Sequence, residues 1–159
     1  MSRVHKYDAA KEQLVTAVEM FLNGRDRSSV ITLAGAASGI FDELVRRSGK
    51  EAFVDYGRRL ARELNGKTPK RSSYVHHVNT KLGVTVHKHL WDGESDTVDL
   101  DLETLAADAV LRAMVDYMSL SGEDEPFVKA YLHWRWTNEE DGPGLIERYK
   151  QVPQRMKPK

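Results

Sequence analysis

The sequence predicts an all-α protein, an up-and-down helical bundle of five or six helices, on three observations. The stretch from Ser28 to Arg47 carries one wide apolar face. Apolar residues recur at three- and four-residue spacing in most of the other segments. Glycine or proline then separates those segments at Asn23-Gly24, Gly49, Asn65-Gly66, Thr68-Pro69, Ser121-Gly122 and Pro126.

The first helix is expected from Tyr7 or Asp8 to Leu22, with Leu14, Val15, Val18, Phe21 and Leu22 inward and Asn23-Gly24 as its left-handed stop. A charged turn leads to Ser28, read as the N-cap of the central helix. That helix turns Val30, Leu33, Ala34, Ala37, Ile40, Phe41, Leu44 and Val45 to one side. Thr32, Gly35, Ala36 and Gly39 lie on the other, small enough for a second helix backbone to approach. Two interior glycines cost about 1 kcal/mol each relative to alanine, so both are expected under close packing. A third helix spans Lys50 to Leu64 with Phe53, Tyr56, Leu60 and Leu64 inward, and short links make these three antiparallel neighbours.

From Tyr74 to Leu90 the stripe Val75, Val78, Leu82, Val86 and Leu90 predicts a helix, although Gly83 and Val84-Thr85-Val86 also suit a strand. A loop over Asp92 to Thr97 follows. Asp99 or Asp101 then caps a long helix with Leu102, Leu105, Ala106, Ala109, Val110, Ala113, Met114, Tyr117 and Met118 inside. Pro126 opens the last sizeable helix, carrying Phe127, Tyr131, Leu132 and Trp134 or Trp136. Residues 1–138 are thus expected to form one domain. Residues 139–159 are read as an EEDGPG linker, a short helix at best and a mobile basic tail.

With 159 residues and no cysteine, the chain can bury one core without staples, and thiolate chemistry, disulfides and cysteine metal sites are excluded. The polar start MSRVHKYDAAKEQ does not read as a signal peptide, and the apolar run Val30 to Phe41 is short of the ~20 residues of a membrane span. A cytoplasmic protein without a membrane partner is expected. The net charge is zero but unevenly placed. Lys67, Lys70, Arg71, Lys81 and Lys88 with His76, His77, His87 and His89 occupy a stretch free of carboxylates. Asp92, Glu94, Asp96, Asp99, Asp101, Glu103 and Asp108 follow without a lysine or arginine. The plainer expectation is that the two stretches neutralise each other or form solvated faces; the other is an electrostatic partner.

The histidines are the candidate acid-base groups. A metal site is not expected, because no HExxH unit or comparable set of converging ligands occurs, and no cofactor motif is present. By itself His89 reads as a hydrogen-bonded core histidine at a helix end. Glu12, Glu19, Asp42, Glu43 and Glu63 read as solvated faces, and Tyr131, Trp134 and Trp136 as core and rim.

The segment AKEQLVTAVEMFLNGRDRSSVITLAGAASGIFDEL, with the later VNTKLGVTVHKHLWDGESDTVDLDLETLAADAVLRAMVDYMSLSGEDEPFVKAYLHWRW, resembles a group of small bacterial proteins of unassigned function. Through them it is similar to the HEPN (higher eukaryotes and prokaryotes nucleotide-binding) superfamily. The resemblance implies a helical bundle, a homodimer, and RNA or a nucleotide as partner. The superfamily's ribonuclease motif is an arginine, a polar residue and a histidine four to six positions on. If Lys88-His89 is its Lys-His, the arginine expected near position 84 is Val84, the polar residue is Thr85, and Lys81 is the nearby cation. A literal match runs from Arg71 to His76 or His77. The catalytic pair is therefore read as degraded. The leading expectation is a non-catalytic or weakly active binder of nucleic acid or nucleotide through Lys67, Lys70, Arg71, Lys81 and Lys88. One alternative is a metal-independent endoribonuclease using Arg71 with His76 or His77, or His89. The other is a protein-interaction module.

Overall fold

A computed structural model of the chain describes residues 1–138 and 142–157. Among them stand seven α-helices and no strand: α1 (Lys6–Leu22), α2 (Arg27–Arg47), α3 (Phe53–Asn65), α4 (Arg71–Lys81), α5 (Leu102–Ser121), α6 (Pro126–Asn138) and α7 (Gly142–Gln151), followed by a 3-10 turn at Gln154–Met156. The fold class is as the periodicity predicts.

The central helix lies between α1 and α5, its two main neighbours. Leu14, Val18 and Phe21 of α1, Val30, Ile31, Ala34 and Phe41 of α2, and Val110, Met114 and Tyr117 of α5 are buried together, and α6 adds Val128 and Tyr131. Burying each large side chain contributes roughly 1.5–3 kcal/mol, so this three-helix contact is the main source of stability. An ion pair between Lys11 and Glu125 (2.5 Å) ties α1 to the start of α6. The helix α3 pairs with α4 and also touches α5, and has no comparable contact with α2.

Several boundaries differ from expectation for local reasons. Asp26, not Ser28, caps α2, its side chain accepting from Ser29 N–H at 3.0 Å. The helix expected to Leu90 stops at Lys81, because Gly83 adopts φ +74° and the chain turns through residues 82–88. Val86 and Leu90 therefore leave the predicted stripe for solvent, and His89 is an exposed loop residue instead of a core one. Among the described residues no helix packs on Gly35 or Gly39. Val84, in the turn, packs on Gly35 instead, whereas Gly39 faces open space.

Of the expected linker, residues 139–141 lie outside the described residues, and Gly142 to Gly144 already belong to α7. Up to Lys157 the tail makes contacts with α3. The guanidinium of Arg59 on α3 donates to the carbonyls of Arg155 and Lys157, and Arg155 pairs with Glu63 at 3.1 Å; Pro158 and Lys159 lie outside the described residues. Arg27–Arg47 is the one described helix long and apolar enough for a membrane span by composition, and it is the central core helix.

Candidate nucleic-acid interface

The basic stretch is laid out along α4 and the first part of the connection from 82 to 101, whose later part from Asp92 is acidic. Lys70 just before the helix, then Tyr74, His77 and Lys81, fall on one stripe by their spacing. Lys70 and Lys81 are about 16 Å apart along it at 1.5 Å per residue. Lys67, Lys70, Lys81 and Lys88 are exposed, and among the described residues none of them makes an ion pair. His76 and His77 are exposed too, the His77 ring lying 6.0 Å from that of Tyr74. In the connection, His89 stacks on Trp91 at 4.8 Å and 21°, and Trp91 keeps 54% of its surface exposed. A long irregular connection inside a compact domain is uncommon, and is usually either functional or a linker.

Among the described residues no ion pair joins the acidic stretch to this surface. Glu103 pairs with Arg27, Asp108 with Arg135, Asp101 caps α5 through Thr104, and Glu94 accepts from the Trp91 backbone N–H. Among the described residues none of these carboxylates is within ion-pair distance of the lysines, and Asp92, Asp96 and Asp99 are exposed in the same connection.

Arg71 has a different environment from the other cations. At the first turn of α4 its Nη2 donates to both oxygens of Asp42 (2.8 and 2.7 Å), while Nε and Nη2 donate to Asp55 (3.1 and 3.2 Å). Burial pushes the Asp55 carboxyl up, but the hydrogen bonds from Arg71 and Arg58 outweigh it and hold it below the usual carboxylate range. Burial likewise opposes the Arg71 charge, and the two carboxylates again more than restore it. With Nε and Nη2 engaged by two carboxylates, this guanidinium is part of the frame. It shares no hydrogen bond with His76, His77 or His89, so the residues of the expected Arg-His pair are not joined.

Behind Arg71 lies a buried polar network that sequence reasoning missed. Arg112, 4% exposed, donates to Asn79 at 2.7 Å. Asp116, fully buried, accepts the Phe53 N–H at 2.8 Å and so caps α3 from a neighbouring helix. Ser38 Oγ, Arg112 Nε and Asp116 Oδ2 have no partner. Burial pushes the Asp116 carboxyl up to about 6, against the Phe53 hydrogen bond and the Arg112 charge. A signal was present. Arg112 and Asp116 sit among Ala109, Ala113 and Tyr117 on the inward stripe of α5, where an i, i+4 charged pair has to be buried. Asp42, read as a solvated carboxylate, is 7% exposed for the same reason.

A second overlooked pair joins the turn after α4 to the central helix. His87 Nδ1 lies 2.7 Å from the Gly83 carbonyl and Nε2 lies 3.0 Å from Ser28 Oγ. Met20, Ser28, Ser29, Thr32, Leu33 and His87 line an open groove of about 520 Å³ there. Among the described residues no three His, Asp or Glu side chains are grouped to hold a metal ion.

Comparison of the chain with protein-family models, with curated proteins and with solved structures gave no match in any of the three.

Proposed function

We propose that the chain is a non-catalytic nucleic-acid-binding protein whose contact surface is the α4 stripe with the connection that follows it. The observation that carries the reading is the set of four exposed lysines without a carboxylate partner, set beside an exposed aromatic stack. Exposed lysines on one surface can each neutralise a phosphate of the same strand. Trp91 offers a face to an unstacked base, a contact worth about 1–3 kcal/mol per base. Together they favour a single strand.

The engagement of Arg71 by Asp42 and Asp55 argues against the endoribonuclease alternative using Arg71, since a guanidinium whose charge and bidentate edge are already taken by two carboxylates is a poor phosphate clamp. The protein-interaction reading has its own support in Leu90, Trp91 and Val98, all more than half exposed in one connection. A homodimer through that apolar surface belongs to this second reading.

Fluorescence anisotropy with a labelled single-stranded RNA separates them. Binding without cleavage, weakened at least tenfold by Lys81→Glu with Lys88→Glu, supports the proposal. Cleavage without added metal that His76→Ala, His77→Ala or His89→Ala abolishes supports the enzyme. Absence of RNA and DNA binding at low salt leaves the interaction module.

A further inference from the structure

The contact between Ser28 and His87 has the geometry of a nucleophile and its base. A carbonyl oxygen only accepts, so the 2.7 Å contact with Gly83 O places the proton on Nδ1. A neutral ring then presents the Nε2 lone pair, and at 3.0 Å that lone pair accepts from Ser28 Oγ–H. Nucleophile, base and a third group that fixes the base's tautomer are thus joined in one chain. Both side chains line the groove beside Met20, Thr32 and Leu33, so the hydroxyl is reachable. Val84 locks the turn that carries His87 against α2.

We propose that Ser28, with His87 as its base, is an acyl-acceptor site for small activated esters or thioesters whose apolar acyl chain lies along Met20 and Leu33. In the step, Ser28 Oγ bonds to the acyl carbon as its proton passes to His87 Nε2. The bond to the leaving oxygen or sulfur breaks with its electron pair, and His87 returns the proton to that group. No external oxidant or co-reactant is required.

The surroundings also set the rate class. The Ser29 N–H and hydroxyl are both held by Asp26, and the Thr32 hydroxyl donates to the Ser28 carbonyl. The lining hydroxyls therefore leave no donor aimed at a developing oxyanion, a feature worth about 10²–10³ in rate. Ser28 is accordingly expected to be acylated slowly and once, and to retain the acyl group, instead of turning over.

The test is incubation of the full chain with p-nitrophenyl acetate, with the adduct located by fragment-ion mass spectrometry. One acetyl group on Ser28, a rate at least about 100-fold lower in His87→Gln, and an unchanged rate in Ser72→Ala, an exposed serine outside the groove, are expected. The Gln amide still reaches Ser28 but takes no proton, and circular dichroism confirms that the variant folds. Adducts confined to lysines or Ser29, no adduct, or undiminished labelling of Ser28 in His87→Gln overturns the proposal. Binding of RNA has no bearing on any of these outcomes.

Discussion

Val84, in the turn after α4, lies directly on Gly35 of the central helix: a β-carbon at 35 would stand 2.6 Å from Val84 Cγ1 and 3.0 Å from Cγ2. Val84 is 2% exposed and β-branched, so it has little room to yield. Alanine at a helical glycine gains about 1 kcal/mol by propensity, and overpacking costs about 1–3 kcal/mol. Gly35→Ala is expected to lower stability by about 1 kcal/mol in urea melts. Gly39→Ala, with no atom within 4 Å of the added carbon, is expected to raise it by up to about 1 kcal/mol. Equal effects would show that the turn does not press on the helix.

The buried Asp116 makes stability depend on pH. Its ordinary value of 3.8 is raised by burial to about 6, so the folded chain holds this proton more tightly than the unfolded one. The stabilisation is complete below about pH 3.8 and is lost as pH rises through about 6, a change of about 3 kcal/mol. Asp116→Asn keeps an acceptor for the Phe53 N–H and has no charge to bury. The difference in unfolding free energy between pH 4.5 and pH 7.5 is expected to shift by about 2 kcal/mol relative to wild type, in favour of the variant at the higher pH.

Arg59 holds the tail by two backbone carbonyls and is itself held by Glu51 at 2.9 and 3.0 Å. Arg59→Ala is expected to speed tryptic cleavage after Arg155 several-fold while leaving the melting temperature within a few degrees. Unchanged cleavage would mean that the tail is held by other contacts.

Arg71 separates frame from interface. Removing it leaves Asp42 without its cation, while Asp55 keeps Arg58 at 3.0 Å, and partial exposure of the pair keeps the cost to about 2 kcal/mol. Arg71→Ala is expected to lower stability by that amount and RNA affinity by less than twofold at a temperature where the variant is folded. A tenfold loss of affinity would return Arg71 to the contact surface.

Helix existence is legible in the sequence wherever the period is long and its stops are strong, as at Asn23-Gly24 and Asn65-Gly66. The misreading after α4 comes from one glycine. In the sequence Gly83 suits a strand as well as a helix, whereas its real effect is to end the helix and turn the chain, which carries His87 to Ser28 and His89 to solvent. The Ser28–His87 pair is separated by 59 residues, and no local pattern announces it. Gly35 and Gly39 show the limit of composition. Both allow a close approach, and only the path of the turn decides which one receives it. Exposure of the lysines is legible from their isolation among polar neighbours. Withdrawal of Arg71 into the frame is not, because Asp42 and Asp55 come from two other helices.

The salt dependence of RNA binding tests the central claim most directly. Four phosphate contacts on a single strand give a slope of log affinity against log salt of about −3. That slope is expected for the wild-type chain between about 50 and 250 mM salt, falling toward about −1.5 when Lys81 and Lys88 are both neutralised to glutamine. A slope near zero, or one that the two substitutions leave unchanged, would contradict a phosphate-binding surface on this segment.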